Sequence, residues 1–133
     1  MMKIRLIYVF LSYAVYVCLD GIWLSVMGPL LYQNILDGII NITPPLWQAL
    51  VFFCLYIICM HVLVFDSLEY SPFRLLKAAT LGFAAYGTYG MTNYMTIEEW
   101  PLFIVAIDTA WGMIVTVCIY LVTSLIYTRR KNV

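Results

Sequence analysis

The chain has 133 residues, of which 65% are hydrophobic and 11% charged, and its formal net charge is zero. Soluble domains carry roughly 25% charged residues, so with a mean hydropathy of +0.95 this composition excludes an ordinary water-soluble domain. It also gives no sign of a nucleic-acid footprint, because the seven basic residues are scattered along the chain.

Crossing about 30 Å of hydrocarbon takes about 20 apolar residues, and four runs meet that need: residues 4–27, 46–65, 73–95 and 101–127. The first resembles a secretory leader, with Lys3 and Arg5 before an apolar stretch. No small-residue cleavage site follows, so it is expected to remain as a first helix. Gly28-Pro29 is expected to end it. In the outer connection, residues 28–45, Leu31, Ile35, Ile39 and Ile42 are spaced for a short interfacial helix above the bundle. The second helix follows Pro44-Pro45 and carries the single histidine, His61, read as an interhelical polar group.

Ser71-Pro72 opens the third helix, where Ala78, Ala79, Gly82, Ala84, Ala85, Gly87 and Gly90 permit close helix contact. It is expected to be the central, most buried helix. The fourth follows the tight turn Glu98-Glu99-Trp100-Pro101, so the last two helices should form an antiparallel hairpin. Trp47 and Trp100 are read as interfacial anchors. Cys18, Cys54, Cys59 and Cys118 lack CxxC spacing and are read as buried small hydrophobes without disulfides.

With four crossings, Lys3, Arg5, Arg74, Lys77, Arg129, Arg130 and Lys131 share one side, while Asp37, Glu98 and Glu99 lie on the other. The positive-inside rule then places both termini in the cytoplasm. The expected fold is therefore an all-α membrane protein, with four transmembrane helices in an antiparallel bundle forming one domain over residues 1–133.

Two aspartates interrupt this pattern, each followed three residues later by tryptophan: Asp20 with Trp23, and Asp108 with Trp111. A carboxylate at mid-helix in hydrocarbon costs about 2.5 to 3.5 kcal/mol on insertion scales, so such residues normally face a bundle interior and mark a site. Each aspartate lies seven residues from the outer end of its expected helix, about 10 Å deep at 1.5 Å per residue. Tyr13, Tyr16, Asp20, Trp23 and Met27 form one stripe, as do Ile104, Asp108, Trp111, Val115 and Cys118. Tyr86, Tyr89 and Asn93 form a third, and their hydroxyl and amide groups suit a buried carboxylate. The ligand- or proton-binding set is thus expected to be Asp20, Asp108, Asn93, Tyr89, Trp23, Trp111 and Tyr86. With no basic partner at that depth, at least one aspartate is expected to hold a proton near neutral pH.

The segments Asp20-Gly21-Ile22-Trp23-Leu24 with Tyr32 downstream, Ala85 to Thr96, Trp100-Pro101 and Asp108-Thr109-Ala110-Trp111-Gly112 cover nearly the whole chain. In them the chain resembles the bacterial four-helix integral membrane family catalogued as domain of unknown function 2177. The resemblance implies a small protein of the bacterial inner membrane and assigns no activity. One position departs from the family pattern, which carries an acidic residue after the tyrosine where this chain has Gly90.

These residues support three readings. One is an intramembrane polar site near the outer leaflet that binds a proton, a small solute or a lipid group. Another is a structural or accessory subunit whose polar residues bind helices together. The third is an enzyme or accessory in membrane lipid modification, against which stand the lack of a nucleophile-base set, paired metal ligands and a Gly-rich phosphate loop. No cofactor or metal is expected. Expected partners are membrane lipids and a proton or small solute, and the small-residue face of the third helix suits either a homo-oligomer or another membrane protein.

Overall fold

The computed structural model describes residues 2–39 and 45–132, with side chains from Leu6 to Asn132. All its regular structure is helical: α1 (Met2–Met27), α2 (Gln33–Leu36), α3 (Leu46–Leu63), α4 (Pro72–Thr96) and α5 (Leu102–Lys131). Pro72 opens α4 at a position where its missing N–H costs no hydrogen bond, and Pro101 immediately precedes α5. In each rod the helical backbone satisfies its own hydrogen bonds, as lipid requires of a spanning segment.

The first helix does not end at Gly28-Pro29. It continues through a π-helical turn, Gly28–Tyr32, directly into α2, making one rod that reaches Leu36. A proline lacks an N–H and crowds the carbonyl four residues back, and one wider turn accommodates both defects. The Gln33 N–H accordingly bonds the Gly28 carbonyl five residues earlier. Beyond it, Leu31, Tyr32, Ile35, Leu36 and Ile39 pack on Trp100, Ile104 and Val105 at the turn into α5. The extension is therefore a cover seated on the α4–α5 turn; Ile42, the last member of the expected interfacial stripe, lies outside the described residues.

Among the described residues, three helical stretches are long and apolar enough to cross a membrane: Leu6–Leu36, Leu46–Leu63 and Leu102–Lys131. The fourth expected span, α4, has the length at 25 residues, but its glycines, threonines, tyrosines and early cations make it too polar for the same description. Nor is α4 the most buried helix. That place belongs to α5, which buries Ile104, Val105, Asp108, Gly112, Val115, Thr116, Ile119, Tyr120, Thr123 and Ser124, whereas α4 buries only Ala78, Gly82 and Gly90. Small residues let α4 approach closely on one side without surrounding it with protein on the others.

That approach is tight at Gly82 and Gly112. A Cβ at Gly82 would run into the Gly112 carbonyl, and one at Gly112 would run into the Tyr86 ring. Lower down, Tyr16, Phe53, Tyr56, Ile57, Met60, Val115, Ile119 and Tyr120 fill the space among α1, α3 and α5. Polar pairs cross this core: Ser12 Oγ lies 3.0 Å from His61 Nε2 and 3.1 Å from Thr123 Oγ1, and Tyr56 and Thr116 share a 2.6 Å hydroxyl contact. Two other expectations are corrected. Trp100 is 4% exposed and packs with Leu36 rather than anchoring at an interface, and Cys18, Cys54 and Cys59 face outward, as befits small apolar groups on a lipid-facing surface.

Candidate functional site: a crosswise aspartate pair

Asp20 and Asp108 are both buried, at 7% and 9% exposure. Each accepts a hydrogen bond from the opposite rod. Trp111 on α5 donates its indole N–H to Asp20 Oδ1 at 2.9 Å, and Tyr32, on the extension of α1, donates its hydroxyl to Asp108 Oδ1. Trp23 completes the lattice by donating to the Tyr32 hydroxyl at 3.2 Å. The two indoles stack between these contacts, with centroids 4.3 Å apart and planes within 8°, a parallel packing that fills the gap between the rods.

The π turn explains how Tyr32 reaches this place. In a uniform α-helix, nine residues rotate a side chain by about 900°, so Tyr32 would point away from Trp23. The one extra residue of a π turn rotates the helix beyond it back by about 100°, which returns the phenol toward the face shared by Trp23 and Asp20. Sequence spacing alone therefore leaves Tyr32 out of the expected site. The available signal is Pro29 inside an apolar run that does not turn polar until Gln33.

Of the remaining expected members, Tyr86 joins the site's inner margin: its ring rests on Gly112, and its hydroxyl pairs with that of Tyr16, one turn below Asp20. Tyr89 does not join. It is 59% exposed and meets Trp100 edge-on, because it lies on the outer side of α4 from Gly90. Asn93 is half-buried and bonds neither aspartate; its Nδ2 has no hydrogen-bond partner. At Gly90 a Cβ would lie 2.9 Å from Val105 Cγ1 and 3.3 Å from Val105 Cα, so any side chain there requires Val105 or the α4–α5 contact to shift.

Among the described residues, every donor to the two carboxylates is neutral, and no group of three or more His, Cys, Asp or Glu side chains is arranged to hold a metal. Ser12 and His61 do bring a hydroxyl and an imidazole together, contrary to the expected absence of such a pair. Ser12 is fully buried and also bonds the Tyr8 carbonyl at 2.7 Å, which suits an interhelical link and offers no approach to a substrate.

Family comparison agrees with this architecture. The family model described as predicted membrane protein (DUF2177) matches residues 5–125. The chain belongs to this family. The match takes in all the residues of the crosswise site, from Asp20 and Tyr32 to Trp111, so the site lies within the family's common region. No significant match is found among curated proteins or among solved structures.

Proposed function

We propose that this family member is a small polytopic protein of the bacterial inner membrane whose working part is the Asp20/Asp108 pair, and that the pair holds a proton near the outer leaflet. The observation that carries this reading is the crosswise lattice itself: two buried carboxylates with neutral donors only. Two charges in one desolvated region, without a cation, are disfavoured by both burial and mutual repulsion. A proton fits better than a solute, because the stacked indoles fill the gap.

The accompanying topology is a four-helix antiparallel bundle with both termini cytoplasmic. Its support is that the Ser71 N–H, just before α4, donates to the Tyr120 hydroxyl of α5 at 2.7 Å, while α4 ends at the turn into α5. It therefore runs antiparallel to α5 from the start of that helix to the level of Tyr120, despite its polarity. All seven basic residues then lie at one end, as the positive-inside rule requires of the cytoplasmic face.

Infrared titration in lipid, comparing the protein with Asp20→Asn and Asp108→Asn, tests the reading. A carbonyl band of protonated carboxyl at pH 7 that either substitution removes is expected; its absence from the unsubstituted protein would falsify a shared proton. The structural-subunit reading has its own support in the neutral links at Ser12, His61 and Thr123. It predicts that both Asn variants lose assembly, whereas the proton site predicts folded variants with a lost proton response.

A further inference from the structure

A second feature lies at the opposite end of the molecule, on the face of α4 turned away from α5. Leu63 at the end of α3 and Phe73, Leu76, Lys77, Leu81 and Ala84 on α4 line an open groove of about 410 Å³, within the volume range of small-molecule sites. The groove exists because α3 and α4 scarcely touch while α4 is drawn onto α5 through Gly82. Leu63, Phe73 and Leu76 are each more than half exposed within it.

Length and charge select an occupant. From Phe73 to Ala84 the groove runs eleven residues, about 16 Å at 1.5 Å per residue, close to half of a hydrocarbon core about 30 Å thick. That is the depth of one leaflet. The mouth is cationic: Lys77 Nζ lies 5.2 Å over the Phe73 ring and 3.5 Å from Asp66 Oδ2, with Arg74 on the same carboxylate. Two cations, Arg74 and Lys77, thus share the single carboxylate of Asp66 there, which leaves the mouth with an excess of positive charge.

We infer that the α3–α4 groove is a binding site for an anionic phospholipid of the adjacent leaflet, one acyl chain lying along Leu63, Leu76, Leu81 and Ala84 with its phosphate at Lys77. The inference is independent of the aspartate pair. A zwitterionic lipid fills the same apolar channel but gains less at the mouth, where its own cation opposes Lys77. The site therefore selects by headgroup charge and holds by chain contact.

Protein purified in mixed micelles of equimolar phosphatidylglycerol and phosphatidylcholine with identical chains, then analysed for retained lipid by mass spectrometry, provides the test. Phosphatidylglycerol is expected to be enriched over its share in the micelle, and Lys77→Gln to reduce that enrichment about fivefold, the effect of one interfacial charge. Ala84→Trp, at an exposed position, is expected to reduce retention of both lipids by filling the channel. Arg129→Gln with Arg130→Gln serves as the control and is expected to leave the enrichment within about twofold of the unsubstituted protein, since neither residue lines the groove. Enrichment unchanged by Lys77→Gln, retention unchanged by Ala84→Trp, or enrichment lost equally in the control would each overturn the inference. So would displacement of the lipid by soluble glycerol phosphate, which would mark a headgroup site without a chain channel.

Discussion

The same two helices, α1 and α5, carry two polar clusters of opposite design. Toward the start of α4, Ser12 links Thr123 and His61, and the exposed carboxylates of Asp66 and Glu69 each have a cationic partner. Toward the α4–α5 turn, Asp20 and Asp108 are buried and, among the described residues, have only an indole and a phenol as donors. The first cluster looks after its own polarity, as interhelical links do, and its carboxylates are exposed and paired. The second leaves two buried carboxylates with neutral donors alone, the arrangement on which the proposed proton site rests.

The largest expected effect removes both clusters together. Gly112→Leu drives a branched side chain into the Tyr86 ring, and overpacking of this kind costs about 3 kcal/mol or more. Thermal melting followed by circular dichroism should show the loss; a variant melting like the unsubstituted protein would mean that α4 and α5 part easily and do not hold the site. Next comes a substitution that separates the clusters. Tyr32→Phe takes from Asp108 its hydroxyl donor among the described residues and should cost about 1 to 3 kcal/mol, with a shifted carboxyl infrared band and an unchanged His61 nuclear magnetic resonance signal. A carboxyl band indifferent to Tyr32 would dissolve the contrast.

Ser12→Ala gives the converse experiment at smaller cost. Interhelical hydrogen bonds in membranes average about 0.6 kcal/mol, with a maximum near 1.7, and the carboxyl band should stay where it is. Movement of that band on losing Ser12 would couple the clusters and argue for one continuous network. The smallest effect belongs to the exposed ion pairs. Hydrogen bonds and charge from Arg74 hold Asp66 below the usual carboxylate range, and Lys131 does the same for Glu69. A lowered folded value means that their contribution is present above the ordinary carboxylate range and fades as pH falls through the lowered values. Because these groups are fully exposed, the acid-side change in melting temperature should be slight and should vanish in high salt; a large, salt-insensitive change would place the responsible carboxylates elsewhere.

Much of this organisation was legible in the residues. Runs of about 20 apolar residues imply long helices, Pro72 and Pro101 mark where two of them start, and the Asp-x-x-W stripes imply that both carboxylates turn inward. Local patterning carries that information because it depends on helical period and burial cost alone. Pro29 misled for the same reason: a proline usually ends a helix, but here its defect is absorbed by widening one turn. The small residues of α4 likewise announce close contact without saying how many sides it has. The structure gives α4 one close neighbour and leaves Tyr89 and Phe73 outside.

Composition and periodicity, then, were enough to establish a helical membrane protein with two inward-facing aspartates, since lipid tolerates few alternatives for such a chain. The exchange of donors between rods, with Trp111 serving Asp20 and Tyr32 serving Asp108, required the three-dimensional packing. It depends on the rotation introduced by a single π turn and on the close seating of α4 against Gly112, and neither has a period that a linear sequence can display.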